Sequence, residues 1–172
     1  ILITVAGNIL LRYRTIYHRM AQTEARTRTI VETAVDGIIT IDSKGIIRAF
    51  NSAAEKIFGW QASEVIGRNI NMLMPEPQRS QHDGYLQNYL LSGEAKIIGS
   101  GREVIGLRKS GVTFPLRLAL GEAVMAHETL FVGFVTDISS RKQMEQDLRD
   151  SEQQYRSLIG NLPGIAFRCR FD

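Results

Sequence analysis

In the segment Pro75 to Leu90, PEPQRSQHDGYLQNYL, a histidine stands inside an otherwise apolar helical stripe. At 100° per residue, Tyr85, Leu86 and Tyr89 fall within about 60° of His82, with Leu90 slightly further round. Ser80, Asp83, Gly84, Gln87 and Asn88 occupy the other side, so the imidazole points toward whatever the helix packs against. An inward imidazole needs a hydrogen-bond acceptor, a second polar side chain or a metal, and the helix alone leaves these three open. Asp83 projects about 100° away, which reads as a solvated residue and not as a group orienting the ring. His18 lies in a charged connector and His127 in a turn, so neither competes with His82. Cys169 is the single cysteine. It excludes an internal disulfide framework and a Cys-based zinc site, and suits a reducing compartment.

Several elements must position this histidine. Residues 13–35 read as a charged connector helix with Ile16, Met20, Ile30, Val31 and Ala34 as its apolar positions. DGIITID (36–42) and IIRAFN (46–51) are β-branched runs separated by Ser43, Lys44 and Gly45, a hairpin signal. Ser52 with Glu55 three residues on has the form of a capping box, and shorter helical turns are expected at Ser63 to Ile66 and Asn69 to Met74. The His82 helix follows, ended by Ser92 and Gly93. Strands are then expected over Gly101 to Arg108, Val112 to Ala126 and Leu130 to Ile138, with turns at Ser110–Gly111 and Ala126–Glu128. Phe114, Leu116, Leu118 and Leu120 alternate with Pro115, Arg117 and Ala119, so one sheet face is apolar and needs a cover. The helices between residues 52 and 93 can supply it, which makes the expected fold α+β: a five-stranded antiparallel sheet with helices on one face.

Composition and charge narrow the function. The 172 residues are 44% hydrophobic and 23% charged, an ordinary globular balance with room for one main domain and flanking helices. Of the formal charge of +3, residues 1–28 carry +4, five arginines against Glu24, so the remainder nets −1. No basic stripe suits nucleic acid. ILITVAGNILL (1–11) runs straight into Arg12, Arg14, His18 and Arg19, the pattern of the cytoplasmic end of a membrane span, although 11 residues cannot cross a bilayer alone. Residues 1–12 are therefore expected to end a transmembrane segment, and the chain, opening without Met and closing in mid-pattern, to be a piece of a longer protein. Beyond Thr136, Met144, Leu148, Ser151, Tyr155 and Leu158 step by fours and threes among charged residues, so residues 139–158 are expected to form a coiled-coil linker between two protomers.

The order of elements, with AVDGIITID, FNSAAEKIFGW, EVIGRNINMLMPEP and GFVTDISSRK as landmarks, resembles a PAS domain. The resemblance covers residues 25 to 145, with the domain proper at 36–138. NMLMPEPQRSQHDGYL followed by IIGSGREVIGLRKSGVTFPLRLALGE resembles, in particular, the haem-binding PAS domain of FixL-type oxygen-sensing histidine kinases. SEQQYRSLIGNLPGIAFRCRFD resembles the opening of a second PAS domain at 159–172. No kinase phosphoacceptor box, nucleotide-binding loop or cyclase motif is present, so no enzymatic activity is expected of this stretch itself.

The resemblance implies haem b as cofactor and O2 as the sensed ligand. His82 matches the family's proximal ligand, a single axial imidazole that leaves the other face of the iron open to a diatomic gas. Tyr85, Leu86 and Tyr89 would wall the proximal side. Arg102 matches an arginine that stabilises the partial negative charge of bound oxygen and otherwise pairs with a haem propionate, a two-position switch. Ile97, Leu116, Leu118 and Leu120 match the apolar positions crowding the gas. At Asn88 the chain departs from relatives with a propionate-binding arginine, and Lys96 is the substitute. A shift of the loop from Ala95 to Gly101 would reach the sheet and pass through Thr136 and Asp137 into the coiled coil of a homodimer, controlling a kinase or other output domain in the same chain on the cytoplasmic side of the inner membrane. Competing readings are a ligand-free PAS dimerisation and relay module, in which His82 is a core residue, and a flavin-binding redox sensor. NINMLMP lacks the cysteine of a photoreactive flavin site, and the lack of a second histidine near the pocket disfavours a haem peroxidase.

Overall fold

The computed structural model describes the backbone of residues 2–92, 101–124 and 128–160, and the side chains of 14–88, 101–124 and 128–159. Two compact units are divided after Asp137. In the first, the elements run α1 (Leu2–Glu32), β1 (Gly37–Asp42), β2 (Ile47–Phe50), α2 (Ser52–Phe58), α3 (Ala62–Val65), a 3-10 turn (Ile70–Leu73), α4 (Gln78–Ser92), β3 (Arg102–Leu107), β4 (Thr113–Val124) and β5 (Thr129–Asp137). The five strands form one antiparallel sheet in the order β2-β1-β5-β4-β3, as the alternation of apolar residues predicts.

The sheet face that carries the alternating apolar residues is covered by the short helices. Ile39, Ile41, Ile47, Phe50, Phe114, Leu116, Phe131 and Val135 from the strands meet Ala54 and Phe58 of α2, Val65 of α3, and Ile70 and Leu73 of the 3-10 turn. Phe58 is the hub, with its ring centroid 6.2 Å from that of Phe50 and 5.5 Å, edge on, from that of Phe114. Gly37 lets α2 approach β1, since a Cβ there would lie 3.2 Å from Ala54 Cα and 3.3 Å from Ile57 Cδ1. Gly106 does the same between β3 and β4, where a Cβ would sit 2.5 Å from Leu116 Cδ2 and 2.8 Å from Phe114 Cε1. Alanine at Gly106 would force the Leu116 and Phe114 side chains to shift, and at Gly37 it would press on the α2 backbone.

Several details differ from the sequence reading. The residue capping α2 is Asn51, whose side chain accepts from Ala54 N, and Ser52 is already the first helical residue, donating its hydroxyl to Glu32 instead. A capping contact of the expected kind lies one element later, where Glu64 Oε2 of α3 accepts from Gln61 N at 3.0 Å. Asn51 takes the cap because it is the last polar residue before the helical backbone begins and is anchored by β1 at the same time. The connector and the apolar residues before it form one continuous helix from Leu2, and among the described residues no helix is long and apolar enough to cross a membrane. The turn expected at Ala126 lies partly outside the described residues. The second unit is described here by α5 (Ser139–Gly160), on which Met144, Leu148, Tyr155 and Leu158 are exposed. Nearly all of the stretch expected to open a second domain falls outside the described residues.

Candidate functional site

α4 carries His82 inward but not deeply: its side chain retains 23% exposure, while its Nδ1 is sealed from solvent and, among the described residues, has no hydrogen-bond partner. Burial holds the imidazole below its ordinary pKa of 6.5, Asp83 pulls the other way, and the charge of Arg102 pushes with burial. The neutral ring, with a nitrogen lone pair to give, is thus the favoured form. Leu86, one turn on, packs against the core and holds α4 to the domain.

The 3-10 turn lies against both α4 and β3. From it, Asn71 Nδ2 donates to Asp83 Oδ1 at 3.1 Å, and that oxygen stands 4.0 Å from His82 Nδ1, too far for a hydrogen bond but close enough for its charge to act. Arg79 Nε donates to the Asn71 carbonyl at 3.2 Å and ties the start of α4 to the same turn. Asp83 is thus exposed, as helical spacing predicts, and makes no hydrogen bond to the ring. Its link to Asn71 has no signal in the sequence, because nothing local joins two residues 12 apart.

Strand register sets the facing wall. Arg102 pairs with Leu118, and Leu118 with Val135, while Leu116 pairs with Val104 and Leu120 with Gly133. Residues directly opposed on antiparallel strands share a face, so Arg102 opens β3 on the same side as Leu116, Leu118 and Leu120. Leu116 is buried, Leu118 and Leu120 are half-buried, and Arg102 is exposed. Among the described residues Arg102 makes no hydrogen bond or ion pair. Tyr85 departs from the expected inward wall: it is 55% exposed, and its hydroxyl donates to Gln81 Oε1 at 2.9 Å along the outside of α4. Three residues on from His82, it lies on the flank of the stripe, where a hydrogen bond along the helix and solvent contact outweigh burial of a phenol. Tyr89 belongs to α4, but its side chain lies outside the described residues, as do Lys96, Ile97 and His127. Asn88 and His18 are exposed.

The C-terminal end of β5 is better tied than its spacing suggests. Asp137 Oδ2 receives Arg108 Nη2 at 2.5 Å, and the same guanidinium stacks 3.9 Å over the Phe114 ring and donates to the Ile57 carbonyl. Thr136 Oγ1 donates to Asp36 Oδ1 at 2.8 Å, so both last residues of β5 are held by polar partners within the domain.

The donor set fits haem. No group of three or more His, Cys, Asp or Glu side chains among the described residues can hold a bare metal ion. A porphyrin brings its own four nitrogens, so one neutral imidazole suffices. His82 would supply it, with Leu116, Leu118 and Leu120 and the exposed Arg102 on β4 and β3.

Comparison with known proteins gives these features a family. A family model described as the PAS fold matches residues 25–138. The sensor protein FixL of Bradyrhizobium diazoefficiens is 44% identical over 131 residues, which cover 76% of this chain and 26% of FixL. The cell-division control histidine kinase PdhS of Brucella ovis is 34% identical over 128 residues, 74% of this chain and 12% of PdhS. This chain therefore matches only about a quarter or less of the length of these relatives. Among solved structures, the PAS domain of an HTR-like protein from Haloarcula marismortui superposes with a TM-score of 0.60 at 23% identity, covering 73% of this chain and 99% of that one. Sheet order, helical cover and sequence agree that this chain belongs to the PAS family, as a sensing domain of the kind found in FixL.

Proposed function

We propose that this chain is a haem-based oxygen-sensing PAS module that controls the output domain of a membrane-linked sensor histidine kinase. The observation that carries the reading is His82: an inward, neutral-favoured imidazole whose sealed nitrogen has no hydrogen-bond partner among the described residues. Leaving such a group unsatisfied costs about 1–3 kcal/mol, which a ligand role or its associated hydrogen bond recovers. The 44% identity to FixL, a protein named as a sensor, supports the same assignment.

His82 would hold haem b, which when bound would supply an iron able to take a diatomic gas. His82 holds the cofactor in place, and Leu86 fixes the helix that carries it. Leu116, Leu118 and Leu120 exclude water from the facing side; Tyr89, Lys96 and Ile97, whose side chains lie outside the described residues, enter the proposal on the family resemblance alone. Arg102 offers its guanidinium to whichever anionic group the site presents, a propionate or an anionic ligand, and its change of partner is the differential contact that a switch requires. Such a contact couples at about 1–3 kcal/mol. Movement of β3 reaches β4 by pairing and then β5, where Arg108 grips Asp137 at the exit. Two protomers joined through coiled-coil helices would carry the shift to the kinase. The apolar run before Arg12 supports an anchor upstream, with this module on the cytoplasmic side of the inner membrane.

A ligand-free relay module is the second reading, favoured by Leu86, whose packing on the core, with the Asn71–Asp83 and Arg79–Asn71 hydrogen bonds, seats α4 through the protein's own contacts. Absorption spectra of the reconstituted, reduced protein under argon, oxygen and carbon monoxide separate the two. A Soret band that shifts with each gas and is lost in His82→Ala supports oxygen sensing. Absence of haem bands after reconstitution removes it in favour of the relay.

A further inference from the structure

An exposed aspartate on a helix is ordinarily free to turn its carboxylate into water. The Asp83 side chain is 55% exposed, yet its Oδ1 stays 4.0 Å from the sealed Nδ1 of His82. What keeps it there is Asn71 Nδ2, which donates to the same oxygen at 3.1 Å. Asn71 is itself fixed through its backbone: its N donates to the Asn69 side chain at 2.9 Å, and its carbonyl accepts from Met74 N and Arg79 Nε, both at 3.2 Å. Ile70 and Leu73 of the same turn are buried in the core, so Asn71 stands on a firm post. A contact that merely seated α4 would be expected to satisfy its own polar atoms. This one leaves two sealed atoms without a hydrogen-bond partner among the described residues, His82 Nδ1 and Asn71 Oδ1, on the two residues that Asp83 Oδ1 lies between. Buried polar atoms are ordinarily paired, and a local deficit of this kind marks a place where the fold serves something besides its own closure.

We infer that Asn71 and Asp83 are positioning residues for His82: Asn71 holds the Asp83 carboxylate beside Nδ1, and the carboxylate charge keeps the imidazole proton on that nitrogen and the lone pair on Nε2. A carboxylate accepts and cannot donate, so a proton on Nδ1 is attracted by Asp83 while a lone pair there is repelled. At 4.0 Å the action is that of a charge and not of a hydrogen bond. In a histidine that binds a metal, the group beside one ring nitrogen decides which nitrogen is left to bind, and raises its basicity. Leu86 thus seats the helix, whereas Asn71 and Asp83 set which atom of the ring is offered. The arrangement deepens the function proposed above, and rests on its cofactor part only in making Nε2 the atom that would meet the iron.

The test is NMR of the imidazole nitrogens in the full chain without cofactor, at about pH 8 so that the ring is neutral. The parent chain should carry the His82 proton mainly on Nδ1. Asp83→Asn keeps an oxygen for Asn71 Nδ2 and removes only the charge, whereas Asn71→Ala keeps the charge and releases it to solvent. Each should lower the ratio of Nδ1–H to Nε2–H about threefold or more. Should Asn71→Ala fail to fold, Asp83→Asn, a change on an exposed side chain, decides alone. In the haem-reconstituted, reduced protein, Asp83→Asn should also move the iron–histidine stretch to lower frequency in resonance Raman spectra. A contact that only seats α4 would survive Asp83→Asn and would move neither the tautomer nor the stretch. A parent proton on Nε2, or a ratio or a stretch unchanged in Asp83→Asn, would overturn the positioning role, and a gas-responsive Soret band alongside would leave oxygen sensing standing. Absence of haem bands in the parent chain would remove oxygen sensing, and the tautomer ratio would still decide whether Asn71 and Asp83 direct the ring.

Discussion

At the β1–β2 edge, Asn51 and Asp42 spend every polar atom inside the fold, whereas between α4 and β3 His82 and Arg102 hold theirs in reserve. Asn51, 1% exposed, donates to the Val31 and Asp36 carbonyls and accepts from Ile38 N and Ala54 N, so one amide joins α1, β1 and α2. Asp42 accepts from Lys44 N and Ile46 N on one oxygen and from Arg48 on the other. Both sides have similar residue types available and are built from the same sheet. A side chain that closes the fold uses all its hydrogen-bonding capacity on the protein. Under the proposed function, His82 and Arg102 keep some of theirs for a ligand, and the fold must then tolerate the deficit.

Substitutions on the two sides should therefore behave oppositely, and equal costs would break the contrast. Asn51→Ala is expected to be the most damaging, losing about 3 kcal/mol in urea unfolding, because it strands donors and acceptors from three elements at once.

Asp42→Ala should cost about 2 kcal/mol. Burial acts to raise this carboxyl, but the N–H groups of Ile46 and Lys44 and the Arg48 guanidinium outweigh it and hold the group below its ordinary pKa of 3.8. The unfolded chain thus takes up the proton first. The stability Asp42 contributes is complete above the unfolded pKa and disappears as pH falls through the folded value, so an acid-unfolding profile should shift to higher pH in the variant. An unchanged profile would remove Asp42 from the closing network.

On the other side, His82→Leu in cofactor-free protein should change stability by less than about 1 kcal/mol, since it removes a sealed, unpartnered nitrogen and keeps the bulk. The folded imidazole titrates below 6.5, so the unfolded state binds more protons as pH falls through that value and stability declines. Urea midpoints measured between pH 7.5 and 5.5 should fall for the parent chain and stay flatter for His82→Leu. A loss as large as that of Asn51→Ala would make His82 a structural residue. Smallest of all, Arg102→Ala should leave stability within about 0.5 kcal/mol, as for an exposed, unengaged surface residue. In the reconstituted protein it should still weaken oxygen binding relative to carbon monoxide, measured by gas titration; an unaltered ratio would take the switch away from Arg102.

Much of the frame was legible without coordinates. Alternation in FPLRLAL marks one apolar sheet face whatever surrounds it, because side-chain direction in a strand has a period of two. The stripe through His82 and Leu86 likewise turns the imidazole inward from helical spacing alone. Less local facts were not legible. Ser52 and Asn51 both suit a cap, and only the pairing of β1 with β2, which brings Ile38 N to Asn51, decides between them. Tyr85 lies at the rim of the stripe, where spacing cannot say how far the packing partner extends. Asp83 acquires its place beside His82 through Asn71, held on another element.

What the chain order determined by itself is the set of faces: which residue of each helix or strand turns toward the core, and that one histidine would be among them. Periodicity is a property of the backbone geometry, so it survives without knowledge of any partner. The tertiary structure decided which polar groups meet. It spent those of Asn51 and Asp42 within the fold and left His82 Nδ1 sealed and unanswered, because hydrogen-bond satisfaction depends on distances between elements that no local pattern encodes.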